Sequence, residues 1–344
     1  MAVIERLQLE GFRGIKAGEI QLAHLTILVG PNNSGKTSIL EALFLLPNPL
    51  RKVPYGDHTA ASLIEHVHKT LDSEGYAFLF YNYDYNAGKT RLQCEAYGEP
   101  HTLELAHWRD YIWLITNRTL RSRNLFDGKE VNCFGFLSPA ASGQTIVDDT
   151  TFILEDSLLF NPRLMEEAIS YLRSNWVSII NQGITKRVAK EASKLTYDTY
   201  EDLTIEPYLA GRYAVYAYMK DGRRVRLGDL GDGLQSYMVS RILYEVSRPQ
   251  LLLWDDVEAH FNPRILHAVA LWVGELLREG RQVVVSTHSL EAVRILAGVN
   301  QEQAKIQLTH LKDGELKLRA LTFEEVEELT KAGVDVRVGE QLLI

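Results

Sequence analysis

Hydrophobic and polar positions first alternate and then cluster along this chain. Val3, Leu7 and Leu9 fall on alternate positions, as a half-buried strand requires, and Gly11-Phe12-Arg13-Gly14 makes a turn. Leu25-Thr26-Ile27-Leu28-Val29 is a short apolar run of the kind found in buried parallel strands. Beyond the glycine-rich loop at 30–37, Ile39, Leu40, Ala42, Leu43 and Leu45 recur at helical spacing and predict an amphipathic helix. From Leu227 to about Leu296 the same alternation of helix and buried strand returns, which is the pattern of an α/β sheet.

The middle of the chain reads differently. Tyr76–Tyr85 is aromatic and strand-like, Asn86–Lys89 is a turn signal, and Arg91–Tyr97 and His101–Leu105 complete an antiparallel meander. Leu164, Ile169, Leu172, Trp176, Ile179, Ile180 and Ile184 follow helical spacing and predict a helical lobe over 156–203. Tyr213–Met219 and Arg224–Leu227 form a hairpin around Asp221-Gly222. The expected organisation is an α/β core from residues 1–45 and 225–344. It is interrupted by a mainly antiparallel β region at 46–155, then by a helical lobe and hairpin at 156–224.

Composition narrows the class of protein. The chain has 344 residues, 46% hydrophobic and 24% charged, as in ordinary globular proteins, and its net charge of −8 argues against a surface that coats nucleic acid everywhere. Cys94 and Cys133 lack CxxC spacing and read as reduced thiols. No apolar run reaches the ~18 residues of a membrane span. Glu5 and Glu10 stand where a signal peptide would be basic and then apolar, so a cytoplasmic protein is expected.

Three motifs carry chemistry. Gly30-Pro31-Asn32-Asn33-Ser34-Gly35-Lys36-Thr37 fills the G-x-x-x-x-G-K-[ST] pattern between a strand and a helix, the context a phosphate-binding loop needs. Backbone N–H groups of Asn32, Asn33, Ser34, Gly35, Lys36, Thr37 and Ser38 are expected to cradle the phosphates of ATP. The Lys36 ammonium would reach the β- and γ-phosphates, and the Thr37 hydroxyl would sit on Mg²⁺. Leu251–Trp254 is a buried-strand run ending in Asp255-Asp256: Asp255 is the candidate for the Mg²⁺ shell and Asp256 for polarising water. Val283–Val285 leads into Ser286-Thr287-His288-Ser289, so His288 lies at the C-terminal end of a parallel strand, where it can sense a γ-phosphate. Each has a plainer reading: a chance glycine loop, acids opening a surface loop, a structural histidine.

In order, Leu9–Gly14, the loop at 30–37, Leu251–Pro263 and Ser286–Ser289 resemble the SMC- and RecF-like branch of the ABC ATPases. They are most similar to the ATPases of the overcoming-lysogenization-defect (OLD) family. The resemblance implies a P-loop ABC-ATPase head, with an antiparallel β subdomain and a helical lobe inserted between Walker A and the signature motif. It implies that Arg13 of the Gly11-Phe12-Arg13 turn approaches the nucleotide. Asp256 stands where the family has a catalytic glutamate, His260–Pro263 matches an inter-subunit loop, and His288 the switch histidine. Leu230–Ser236 resembles a degenerate signature whose Gly231, Asp232 and Gly233 cap a γ-phosphate held by a second copy. A homodimer around ATP and Mg²⁺ is therefore implied, and Gln144 is the candidate Q-loop residue. Without a Toprim-type acidic cluster in this chain, the implied nuclease or effector is a separate protein, in antiphage defence or DNA repair.

Other readings stay open at this point. The chain could be the ATPase subunit of a membrane transporter, against which stand the Phe12-Arg13 turn and the long gap from Thr37 to Gly231, or a module that binds ATP with little hydrolysis. Arg118, Arg121 and Arg123, and then Arg223, Arg224 and Arg226, are basic clusters that could meet nucleic-acid phosphates or simply be solvated. His66-Val67-His68 shows no third ligand at a recognised metal-site spacing, and Tyr81–Tyr85 reads as strand packing.

Overall fold

The computed structural model of the chain describes residues 4–47, 49, 51–71, 73, 76–86, 88–96, 98–108, 111–116, 120–124, 130–131 and 157–333, with side chains at 4–106 and 157–333 apart from the gaps named. The alternating start of the chain forms β1 (Ile4–Phe12) and β2 (Ile15–Gln21), paired antiparallel around the turn at Arg13. The apolar run is β3 (Leu25–Val29), buried at every position, and the helix after the glycine loop is α1 (Lys36–Leu45).

α2 (Ala60–His68) follows, its first turn closed by a Thr59–Ser62 capping box. Then come β4 (Lys89–Ala96), β5 (Glu99–Trp108), β6 (Tyr111–Thr116), β7 (Leu120–Asn124) and β8 (Glu130–Val131), an antiparallel series. The aromatic stretch differs from the expected strand. Ala77–Leu79 and Tyr81–Tyr83 are single 3₁₀ turns, because Asn82 and Tyr83 take left-handed backbone angles that no strand tolerates. Tyr76, Leu79 and Phe80 are nonetheless buried, and Phe80 bridges Phe12 at the end of β1.

The next stretch also departs from its helical reading at both ends. It opens with β9 (Ser157–Phe160), buried throughout, before α3 (Met165–Ser174), α4 (Trp176–Asn181) and α5 (Ile184–Ala192). It closes with β10 (Tyr200–Pro207), which pairs with β11 (Tyr213–Met219) and, through it, β12 (Arg224–Arg226) in a three-stranded sheet. The remaining elements alternate: α6 (Asp232–Ser247), β13 (Leu251–Trp254), α7 (Pro263–Arg278), β14 (Gln282–Thr287), α8 (Leu290–Val299), β15 (Ala304–Lys312), β16 (Glu315–Leu321) and α9 (Phe323–Lys331).

One mixed sheet organises the described residues, in the order β8-β7-β6-β5-β4-β1-β2-β16-β15-β3-β14-β13-β9. Its β15-β3-β14-β13-β9 end is parallel and its β8–β1 end antiparallel, so the antiparallel strands extend the same sheet that carries the phosphate loop. Gln282, fully buried, joins the two: it accepts from the Ile4 N–H and donates to the carbonyls of Ile4 and Ala23. Among the described residues, no helix is long and apolar enough to cross a membrane.

Candidate functional site

Strand register alone brings four loops together. Val29 pairs with Thr287, Val285 with Trp254, and Trp254 with Phe160. Each of these adjacent parallel strands therefore ends within a residue or two of the same line, and the residues that follow are Gly30, His288, Asp255 and Asn161. The C-terminal edge of a parallel sheet is where ligands bind in open α/β folds.

The phosphate loop is shaped by two glycines. A Cβ on Gly30 would lie 2.5 Å from the Thr309 carbonyl oxygen on β15, so no other residue fits there. Gly35 holds φ at +91° and starts α1 without a side-chain cap, which leaves the first-turn N–H groups for an anion. Ser34 is anchored to Thr309, hydroxyl to hydroxyl, at 2.7 Å, while Asn32 and Asn33 are exposed. Lys36 is buried. Its ammonium donates to the carbonyls of Gly30 at 3.0 Å and Pro31 at 2.8 Å, and so bridges the loop it is meant to share with phosphate.

Burial pushes the Lys36 ammonium down to about 8, against the pull of Asp256, Asp255 and Glu258. Phosphate oxygens would restore its charge. ATP binding near pH 8 is therefore expected to take up about half a proton, with affinity weakening as pH rises through that value. Calorimetry in buffers of different ionisation enthalpy measures this directly, and zero uptake would show that the lysine is already fully charged.

Asp255 is held from three sides. It accepts from the Thr37 hydroxyl at 3.1 and 3.2 Å, from the Asn161 amide at 3.1 Å and from the Ser286 hydroxyl at 2.5 Å. Ser286 in turn accepts the Asp256 N–H at 2.9 Å, so one hydroxyl orders both acids. A hydroxyl and a carboxylate are hard donors of the kind Mg²⁺ prefers, so Thr37 and Asp255 are the residues that could share its shell with water. Asn161, whose amide oxygen accepts the Arg163 N–H at 2.9 Å, orients the Asp255 carboxylate through its amide N–H. An ion there would neutralise charge between two phosphate groups. Asn161 was missed by sequence reasoning, whose candidate Gln144 lies outside the described residues.

Asp256 sits in a left-handed turn at φ 48°. Burial, then Asp255, raises its carboxyl above the ordinary range, which suits an acceptor of a proton from water. His288 Nε2 lies 3.6 Å from Asp256 Oδ1, and the His288 N–H donates to Glu258 Oε1 at 2.7 Å. Glu258 thus fixes the strand end from which the histidine projects.

Arg13 is paired within the chain. Its guanidinium is ion-paired to Glu41, one helical turn beyond Thr37, and burial lowers it to about 10, so it stays charged. Glu41 is 2% exposed and also accepts from His68 Nε2 at 2.6 Å. Burial, then Arg13 and Arg163, depress His68 to about 4, so at neutral pH its contact is a hydrogen bond from a neutral ring rather than an ion pair. Arg13→Ala would leave a buried carboxylate uncompensated and is expected to destabilise the fold by about 3 kcal/mol. Removing Arg13 lifts one of the causes that depress His68, while burial and Arg163 still hold the ring down. Urea titration of the variant beside wild type tests it; equal stability would show that the pair does not support the fold. Arg13, His68, Phe78, Phe80 and Tyr83 line a cavity of about 430 Å³ beside this triad.

Gly231, Asp232 and Gly233 lie at the start of α6, with Gly231 at the cap and no side chain closing the turn. Among the described residues, none of the three is hydrogen-bonded to the chain's own phosphate loop; Asp232 instead approaches His260 Nδ1 at 3.9 Å. A Cβ on Gly233 would lie 2.4 Å from the His260 carbonyl oxygen, so α6 rests on the loop after Asp256.

The basic hairpin is internally neutralised. Arg223 pairs with Asp221 and Asp198, Arg224 with Glu206, and Arg226 with both oxygens of Asp229 at 2.7 Å. Side chains of Arg118, Arg121 and Arg123 lie outside the described residues, as does Cys133. Cys94 is buried and its thiol is pushed up to about 12, so it is unreactive.

A phosphate loop, an acid pair and a strand-end histidine on one edge of a mixed sheet define the head of an ABC-type ATPase. Residues 25–294 match the family described as "AAA domain, putative AbiEii toxin, Type IV TA system", and the chain belongs to that family. Solved structures agree on the fold. An SmcHead bound to the C-winged helix domain of ScpA superposes with a TM-score of 0.59 at 16% identity, covering 94% of this chain and 99% of that one. The Smc head with an extended coiled coil bound to the C-terminal domain of ScpA, from Pyrococcus furiosus, gives 0.56 at 15% identity, covering 96% and 99%. Among curated proteins, the DNA replication and repair protein RecF of Vibrio parahaemolyticus is 57% identical over 44 residues, and that of Vibrio cholerae 54% over 44. Each match spans 12% of this chain and 12% of the relative.

Proposed function

We propose that this chain hydrolyses ATP with Mg²⁺ and acts as a switch. Two copies close head to tail, and the phosphate loop of one binds ATP under the start of α6 of the other. The observation that carries this reading is the register-driven convergence of Gly30, Asn161, Asp255 and His288 on one strand edge, with Asp256 beside them. Lys36 and the N–H groups of 32–38 bind phosphate; Thr37 and Asp255 order the ion and Asn161 orients Asp255; Asp256 accepts the proton of the attacking water; His288 reads the γ-phosphate. We assign the base to the cavity lined by Arg13, Phe78 and Tyr83, beside the Arg13–Glu41 pair. The uncapped α6 start at Gly231–Gly233, which makes no hydrogen bond to the phosphate loop of its own chain, supports the role in trans.

The output is proposed to be a DNA-directed activity of a separate nuclease or effector, in antiphage defence or DNA repair. The motif order shared with the OLD family and the short stretch shared with a DNA replication and repair protein support it. ATPase rate and oligomeric state, measured with and without DNA for wild type and Asp256→Asn, test the whole reading. ATP-dependent dimers that persist in the variant support it; a chain that stays monomeric with ATP and indifferent to DNA rejects it. A slow-hydrolysing module is the second reading, favoured by the side chain of Asp256, one methylene shorter than glutamate; a single-turnover rate unchanged by Asp256→Asn would select it.

A further inference from the structure

His66, which sequence spacing left without a third ligand, is supplied with one by the fold. Among the described residues, His58, His66 and Glu167 form a group whose ligand atoms all lie within 4.8 Å of one another. They come from three segments: the loop before α2, α2 itself and the first turn of α3. His58 Nε2 lies 3.6 Å from Glu167 Oε2, and His66 Nε2 lies 3.6 Å from Glu167 Oε1. Both distances exceed a hydrogen bond. The two imidazole rings are tilted by 45°, with centroids 5.2 Å apart.

The shape is that of a cradle for a cation. Tetrahedral zinc, with ligands at about 2.0–2.1 Å, sets its donor atoms roughly 3.3 Å apart, a spacing this group reaches by small side-chain rotations. Two features hold the donors in place. His58 Nδ1 faces the Ser62 hydroxyl at 3.3 Å, which leaves Nε2 turned to the carboxylate. This is the outer partner that metal-bound histidines commonly use to fix ring orientation. The Glu167 carboxylate packs against Gly56, where a Cβ would lie 2.9 Å from Oε2, and the Gly56 N–H donates to the Glu167 carbonyl at 3.2 Å.

We propose that His58, His66 and Glu167 bind one divalent transition-metal ion of the zinc class, with water in the remaining position. The ion would pin the first turn of α3 to α2. Glu167 lies six residues after Asn161, so the same clamp would steady the strand end that presents Asn161 to Asp255. The site stands on its own geometry and does not depend on the ATPase reading.

The test is calorimetric titration of zinc chloride alone into full-length protein stripped with a chelator, without nucleotide. One equivalent is expected to bind. His66→Ala and Glu167→Gln are each expected to weaken it at least about tenfold, the scale of losing a ligand or its support, while His267→Ala, on an exposed face of α7, leaves it unchanged. His66 is 44% exposed, so its variant is expected to keep the wild-type melting temperature without metal. Cobalt(II) in place of zinc should give visible bands in wild type that vanish in His66→Ala. No binding by wild type, equal binding by His66→Ala, or binding lost only in Asp255→Asn would each overturn the proposal.

Discussion

Lys36→Ala is expected to weaken ATP binding by roughly 100-fold or more while leaving the fold intact. The ammonium is the one side-chain charge inside the loop, and it would serve two phosphate groups at once. A charge-assisted hydrogen bond is worth about 1.5–3 kcal/mol, and each 1.4 kcal/mol is tenfold in affinity, so losing two amounts to roughly 100-fold or more. Part of the loss is structural, because the carbonyls of Gly30 and Pro31 lose the donor that joins them. Equilibrium binding of a fluorescent ATP analogue, with the melting temperature as control, measures the effect. Wild-type affinity in this variant would remove the loop from the binding site.

Asp256→Asn should do the opposite: preserve binding and stop turnover. The amide keeps the size and left-handed turn of the aspartate, and the N–H to Ser286 is untouched. What disappears is the acceptor for the proton of the attacking water, a contribution of about 10²–10⁴ to rate. The raised carboxyl of Asp256 adds a second signature in the wild type. Hydrolysis is expected to fall with acid at a higher pH than an exposed aspartate would give, since only the ionised form accepts a proton. Single-turnover rates across pH, beside nucleotide affinity, separate the two effects. A variant that turns over like wild type would remove Asp256 from the step and select the module that binds ATP with little hydrolysis.

How much of this was legible in the sequence depends on whether neighbours in space were neighbours in the chain. The phosphate loop, the Asp255-Asp256 pair and His288 each follow a short, mainly apolar strand, and such a strand ending in polar residues marks one that reaches the ligand edge. Asn161 follows the same rule, yet its strand is four residues long and adjoins a helically spaced stretch, so periodicity absorbed it. Glu41 was invisible for another reason: one acid on an apolar helix looks solvated until Arg13 and His68, from distant segments, close over it. Tyr76–Tyr85 had the composition of a strand, but Asn82 and Tyr83 turn the backbone the wrong way. The third ligand for His66 lies about a hundred residues on, beyond any spacing rule. The family match is to the AbiEii-described AAA group, while the resemblance drawn from motif order alone pointed within the same broad class to the OLD ATPases.

The contact of Gly233 on the His260 carbonyl makes a single rigid joint between the start of α6 and the loop that begins at Asp256. In a head-to-tail pair those two ends of the joint serve different nucleotides. Closing on a neighbour's ATP would then nudge the copy's own water-activating acid. Occupancy of one pocket would be felt in the other without any signal crossing the body of the protein. If the proposed head-to-tail pair forms, its dose–response to ATP is expected to be steep rather than hyperbolic.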